Sequence, residues 1–186
     1  MSEVTNTVPA MTDNELKPTD HVYYGIASLR GWDETLGHAH RWGGDLKWRI
    51  GRVLSAMLLA GGDERIPTAI TGTMDDNGTG HLALLYPDVV VLVRTNELTA
   101  NGGDATVTMH PLTAIEHVKV IANHSYYNGT EEFSRESGME VHVSVSGQDV
   151  VFPGRTYSAT DITNDASAAA ALQIIRQHLS GRTARP

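Results

Sequence analysis

The chain contains 186 residues, carries a formal net charge of −8 and has no cysteine. Its length suits one domain of ordinary size, or one domain with an appendage. The missing cysteine excludes a disulfide framework, a thiolate nucleophile and a cysteine-based zinc site.

Acidic residues dominate the C-terminal two thirds of the chain. Residues 66–180 carry five Lys or Arg against thirteen Asp or Glu, whereas residues 1–65 carry seven against nine. A surface of that charge repels phosphate groups, and no basic stripe compensates for it. We therefore expect no nucleic-acid partner, and we do not favour a membrane surface as a partner.

The N-terminal residues 1–20 are polar and show no hydrophobic periodicity, so we expect a disordered or loosely attached arm. They lack the apolar core of a signal peptide. The longest apolar runs, VLSAMLLA and VVVLV, are far shorter than the roughly 20 residues that span a bilayer. Together with the missing cysteine, these features predict a cytoplasmic protein.

An N-terminal extension is expected over residues 21–62, and its clearest element is a helix over residues 46–60. Apolar residues recur there with the 3.6-residue period of a helix, and a Gly-Gly pair ends the pattern. Asp45 is placed to act as the N-cap of this helix. Residues 21–41 predict only a short strand or a single helical turn, because glycines interrupt them.

From residue 63 onward the hydrophobic period changes to that of strands. Short apolar segments separated by turn residues predict about seven strands up to residue 152. The segment DDNGTG has the composition of a turn and lacks the ligand spacing of a calcium loop. Residues 123–138 are polar and give no clear pattern.

A second amphipathic helix is predicted over residues 165–180, and a tail follows over residues 181–186. The apolar side of this helix suits it to cover the open end of an antiparallel barrel. The predicted fold is therefore mainly β with flanking helices. It is an antiparallel β-barrel or sandwich over residues 63–180, capped by its own C-terminal helix.

Three segments, GHLALLYPDVVVLVRT, TVTMHPLTAIEHVKVI and MEVHVSVSGQDVVFPG, follow one another before the closing helix. Together with the step His110-Pro111-Leu112, this order resembles the bacterial pleckstrin-homology-like (PH-like) domains. The resemblance covers residues 45–180 and rests on apolar positions. It implies a PH-like barrel that serves as a binding or scaffolding module, usually without catalysis, and it carries no shared site residues.

Two histidines form the sharpest single motif. His38 and His40 are two residues apart, so on a strand both imidazoles would face one side, where they could share a metal ion. A metal-binding small-barrel enzyme that uses this pair is therefore an alternative function. No second metal-binding segment follows in the sequence, so we favour surface or packing histidines and expect no cofactor.

Aromatic residues supply the candidate partner-binding positions. Trp42 and Trp48 accompany basic residues, which leaves peripheral membrane attachment through residues 42–58 as a further alternative. Three more aromatic residues lie in a polar segment, where such side chains often anchor interfaces: Tyr126, Tyr127 and Phe133.

No recognisable catalytic motif is present: the sequence lacks a nucleophile elbow, a phosphate-binding loop, dinucleotide-binding glycines and a His-Glu-x-x-His segment. We therefore do not expect an enzyme. The sequence predicts a non-catalytic protein-interaction or scaffolding module that binds a protein partner, a second copy of itself, or both.

Overall fold

A computed structural model describes residues 17–122, 139–153 and 161–183, apart from the side chains of Trp42 and of residues 161–166 and 181–183. The described helices are α1 (Pro18–Ala27), α2 (Trp32–Trp42), α3 (Gly44–Gly61) and α4 (Asp161–Thr183). The described strands are β1 (Ala69–Met74), β2 (Gly80–Leu85), β3 (Val89–Asn96), β4 (Asp104–Pro111), β5 (Ile115–Ala122), β6 (Met139–Val145) and β7 (Gln148–Phe152).

The strands form two antiparallel sheets, each paired in chain order. The first sheet has the order β1-β2-β3-β4 and the second has the order β5-β6-β7. The β2–β3 hairpin turns at Pro87-Asp88, where the Tyr86 amide donates to the Val89 carbonyl over 2.9 Å. The DDNGTG segment forms the turn between β1 and β2, and the Asp75 carboxylate accepts hydrogen bonds there from the Asn77 and Thr79 amides. The turn predicted at DDNGTG is thus confirmed.

The four-stranded sheet is covered on both faces. Helices α1, α2 and α3 cover one face, and the three-stranded sheet with α4 covers the other. Leu82 and Leu84 of β2 therefore face the helices, while Ala83 and Leu85 face the second sheet. Because both faces are buried, β2 and β3 are continuous apolar runs and do not alternate with polar residues.

Two hydrophobic cores result, one on each side of this sheet. The helix-side core contains these buried residues, among others: Val22, Ile26, Leu29, Trp32, Met57, Leu82, Leu84, Tyr86, Val91 and Val93. The inter-sheet core contains these, among others: Ala83, Leu85, Val90, Leu92, Leu112, Val141, Val143, Val145, Phe152, Ala171 and Ile175.

The two sheets meet at the edge where β1 lies next to β7. There the buried Thr71 hydroxyl donates a hydrogen bond to the Val151 carbonyl. Helix α4 packs against β1, β6 and β7 at the same side. The described part of the chain thus has three layers: helices, the four-stranded sheet, and the second sheet with α4.

The predicted antiparallel barrel or sandwich is confirmed in part: two antiparallel sheets form, but they do not close into a barrel, and the class "mainly β" is wrong. Strands β4 and β5 belong to different ladders, because the chain turns between them through Pro111 and a short 3-10 segment, Leu112–Ala114. Proline has no amide hydrogen to donate to a continuing ladder. Helical residues also outnumber strand residues in the described chain, so the class is mixed α and β.

The helical layer is the part of the fold that differs most from the prediction made from the sequence. The arm predicted over residues 1–20 overlaps α1, which begins at Pro18, while residues 1–16 lie outside the described residues. Helices α1 and α2 occupy residues 21–41, where a short strand or one turn was the prediction. Gly25 does not end α1, because it packs where a larger side chain would meet Ile70: an added Cβ would lie 2.5 Å from its Cδ1.

Helix α3 confirms the helix predicted over residues 46–60. Its N-cap is Gly43, with a φ of 64°, and Asp45 lies within the first turn, so the N-cap prediction is wrong. Asp45 still favours the helix there, because a carboxylate complements the positive end of the helix dipole. The C-terminal helix is likewise confirmed as α4 and begins four residues earlier than predicted.

Candidate functional site

Helix α3 exposes large apolar side chains on the side that faces away from the sheet. Its inner side buries Ile50, Val53 and Met57 against the four-stranded sheet. On its outer side Trp48 is 61% exposed and Leu59 is 81% exposed. We call the side formed by Trp48, Gly51, Arg52, Ser55, Ala56 and Leu59 the α3 outer face.

Trp48 and Leu59 belong to one strip along the helix. Eleven residues separate them, which in an α-helix is about 16 Å of rise and about three full turns. The two side chains therefore project in nearly the same direction. The residues between them at this side include the exposed Gly51 and Ser55, which leave the strip open for close contact.

A groove of about 410 Å³ lies beside this face, between α3 and β4. We call it the α3–β4 groove. Its α3 wall includes Val53 and Ala56, its other wall includes Ala105 and Val107 of β4, and Leu98 is buried beneath it. These apolar side chains share the lining with the charged Arg49, Arg52 and Asp104, so the groove combines apolar and polar surface.

The loop before β4 gives the groove its shape. Gly103 has a φ of 91°, and an added Cβ there would lie 2.0 Å from the Glu97 carbonyl oxygen. Only glycine fits this backbone without displacing the loop. The same loop holds Leu98, whose amide donates to the Gly78 carbonyl over 3.0 Å. The groove therefore depends on a fixed loop conformation.

Two arginines border the groove, and the fold holds each in place. The Arg52 guanidinium lies over the Trp48 ring, 4.8 Å from its centroid. The Arg49 Nη1 donates a hydrogen bond to the Gly103 carbonyl over 3.3 Å, while its buried Nε has no partner among the described residues. Both cations are thus positioned before any partner binds.

The α3 region is basic although the chain is acidic. Residues 41–61 contain four arginines or lysines and a single acidic residue, Asp45, while the whole chain has a net charge of −8. Asp104 is the acidic residue at the edge of the groove. The α3 outer face and its groove therefore combine exposed apolar surface with local positive charge.

The structure does not bring His38 and His40 to one side. Both lie on helix α2 and both are exposed. Residues two apart on a helix point about 200° apart, so the strand geometry that would have aimed both imidazoles at one ion is not present. Among the described residues, no group of three or more His, Cys, Asp or Glu side chains is arranged to hold a metal ion.

Of the predicted partner-binding residues, only Trp48 is placed with its side chain. Trp42 is the last residue of α2, and its side chain lies outside the described residues. Tyr126, Tyr127 and Phe133 also lie outside them. Sequence reasoning missed Leu59 and the groove. Leu59 could have been found, because this apolar residue lies outside the apolar stripe of its helix. The groove could not, because one of its walls is β4, which is far from α3 in the sequence.

Two described titratable groups have a clearly shifted pKa, and both lie outside this site. Burial, and secondly the positive charge of Arg94, lower the pKa of His81 below its usual 6.5. Burial raises the pKa of Tyr86, and the nearby Arg65 partly opposes that effect. The two residues are about 17 Å apart along β2 by strand geometry, so they do not form a joint acid–base pair.

No protein family, curated protein or solved structure matches this chain. Within the described residues, no helix combines the length and the apolar character needed to cross a membrane. The α3 outer face with the α3–β4 groove is therefore the candidate site on the strength of its own geometry. Its chemistry is that of binding: an aromatic ring, an exposed aliphatic side chain, two positioned cations and a cleft that is partly apolar.

Proposed function

We propose that this protein is a non-catalytic protein-interaction module that docks a partner on the α3 outer face. One observation supports the proposal most directly: Trp48 and Leu59 are 61% and 81% exposed on a helix whose opposite side buries Ile50, Val53 and Met57. Tryptophan is enriched among the residues that dominate binding energy at interfaces. Aligned on one strip, the two side chains form a surface suited to contact with another protein.

We also propose a more specific fold assignment, namely that the two sheets form a PH-like sandwich. The PH-like sandwich is supported by the order of pairing, in which four consecutive strands form one sheet and three consecutive strands form the next. A C-terminal helix then packs against both sheets. A cytoplasmic location is supported by the absence of cysteine, because a chain that forms no disulfides does not need an oxidising compartment.

Site-specific crosslinking tests the proposal, because a cysteine-free chain permits one unique label. Ser55 lies in the middle of the α3 outer face and is exposed, so Ser55→Cys can carry a photoreactive maleimide. Asp149 on β7 is exposed on a different layer, and Asp149→Cys is the matched control. After irradiation in lysate of the native cell, we expect a discrete crosslinked protein from position 55 and not from position 149.

The crosslinked species is identified by mass spectrometry and re-tested with purified components. Trp48→Ala introduced into the Ser55→Cys chain should abolish the crosslink, because it removes the aromatic anchor without touching a buried residue. Identical products from both labelled positions, or a product that survives Trp48→Ala, would show that the α3 outer face is not the docking site.

A further inference from the structure

We infer that the partner presents an acidic segment, in which a carboxylate pairs with Arg52 and an adjacent apolar side chain enters the α3–β4 groove. This inference rests on the proposed function and adds the chemistry of what docks. It depends on three features of the described residues: the position of the unpaired Arg52 guanidinium, the shape of the α3–β4 groove, and the positive sign of the charge around α3.

Arg52 is held in a geometry that suits a carboxylate. Its guanidinium carbon lies 4.8 Å from the centroid of the Trp48 ring, an arrangement in which the ring face attracts the cation. Among the described residues, no carboxylate forms an ion pair with Arg52. A planar, positioned guanidinium binds a carboxylate with two parallel hydrogen bonds, which gives both strength and orientation.

The groove supplies an apolar site next to that cation. Its volume of about 410 Å³ is large enough for one or two large side chains, and Leu98 and Val107 line it. Arg52 and Trp48 form part of the same lining. A ligand whose carboxylate binds Arg52 therefore carries its neighbouring side chain directly over the groove.

Charge argues for an acidic partner and against a symmetric pair of this chain. In a two-fold interface the same patch lies on both subunits, so two faces that each carry Arg49 and Arg52 would meet. Like charges placed opposite one another oppose association. An acidic segment instead meets a local net positive charge, and the acidic remainder of the chain repels it from other surfaces.

Selection from a displayed library of random peptides, with the full chain as bait, tests the inference. We expect the recovered peptides to be rich in Asp and Glu beside an aromatic or aliphatic residue. Each is then synthesised, labelled, and titrated by fluorescence anisotropy. Arg52→Glu should weaken binding by about tenfold or more, in the range of interface residues that dominate affinity.

Lys47→Glu is the matched control. It makes the same change of charge on an exposed residue of the same helix, about 140° around the helix from Arg52. We expect Lys47→Glu to change the affinity for the peptide by less than about threefold. A charge on that other side of the helix is largely screened from the peptide at physiological salt. Circular dichroism confirms that each variant keeps its helical and strand content.

The other outcomes separate the two proposals. Neutral or basic peptides whose binding requires Trp48 but not Arg52 would overturn the acidic partner and leave the docking face intact. Peptides whose binding is unchanged by both Trp48→Ala and Leu59→Ser would overturn the docking face itself. Failure to recover peptides, combined with Trp48-dependent sedimentation on phosphatidylserine-containing vesicles, would show a membrane contact and overturn both.

Discussion

The two sides of the four-stranded sheet are built differently. Each core buries five valines, but the helix-side core also contains Trp32 and Tyr86, whereas the inter-sheet core contains four alanines and Phe152. Trp32 is fully buried, and its indole N–H donates to the His81 carbonyl over 3.2 Å. The helical layer thus packs on two large aromatic side chains, Trp32 and Tyr86, whereas the second sheet packs through smaller side chains and Phe152.

This difference matters for the candidate site. The α3 outer face is useful for binding only if the inner face of α3 is rigidly attached to the sheet. At its C-terminal end α3 is attached closely, because Gly61 lies against the Tyr86 ring and Arg65 stacks on the same ring at 4.9 Å. Arg65 also forms an ion pair with Asp88 in the β2–β3 turn.

The largest expected effect is the loss of a tryptophan from the helix-side core. We expect Trp32→Ala to lower the free energy of unfolding by about 3–5 kcal/mol, because it leaves a cavity and an unpaired carbonyl. Ile175→Ala in the inter-sheet core should cost about 2–5 kcal/mol. The exposed Trp48→Ala is the control and should change stability by less than about 0.5 kcal/mol. Urea unfolding followed by far-UV circular dichroism measures all three.

The same unfolding curves also show whether the helical layer and the second sheet unfold together. A single cooperative transition for all variants means that both layers fold as one unit, as their shared sheet leads us to expect. Two separate transitions, with Trp32→Ala shifting only one of them, would show that the helical layer unfolds independently. A Trp32→Ala protein as stable as Trp48→Ala would contradict the packing of the helical layer on Trp32.

A smaller effect is expected from the close approach of α3 to Tyr86. In Gly61→Ala the new Cβ would lie 2.2 Å from the Tyr86 hydroxyl oxygen and 2.5 Å from Cζ, so the helix end or the ring must move. We expect a loss of about 1–3 kcal/mol, as for overpacked cores. Thermal and urea unfolding measure the change.

Gly51→Ala is the matched control on the same helix. Nothing lies within 4 Å of its added Cβ, so we expect a gain of about 0.5–1 kcal/mol from the better helix propensity of alanine. The two glycines would thus have effects of opposite sign. Equal changes in the free energy of unfolding for the two variants would mean that the contact between Gly61 and Tyr86 does not stabilise the attachment of the helical layer.

The smallest effect concerns the pH dependence of stability through His81. Its folded-state pKa is lowered, by burial first and then by Arg94, so the unfolded chain binds this proton more readily. The contribution of neutral His81 to stability is therefore fully present above its usual pKa of 6.5 and is lost as the pH falls through the lowered folded-state value. His81→Asn should show a shallower decline in urea midpoint between about pH 7.5 and pH 5.5 than the wild type. An identical decline in both proteins would show that His81 does not contribute.

Much of the secondary structure was predictable from local pattern. Helix α3, helix α4 and seven strands match the periodicity of the sequence, because the side-chain period of helices and strands is set by each segment itself. Strand β1 begins at Ala69, two residues after Pro67, which has no amide hydrogen to donate to a ladder. Helices α1 and α2 were missed because their glycines pack against the sheet or face solvent, which a local pattern does not reveal.

The candidate site was predictable only in part. The sequence by itself determined that Trp48 lies on a helix beside Arg49 and Arg52, and that the chain is acidic elsewhere. The tertiary structure decided that this side of α3 is uncovered, that β4 supplies the other wall of a groove, and that His38 and His40 point apart. Hydrophobic periodicity within a helix or strand shows which of its sides is apolar. Whether a given side is covered by the rest of the protein depends on contacts between segments that are distant in the chain.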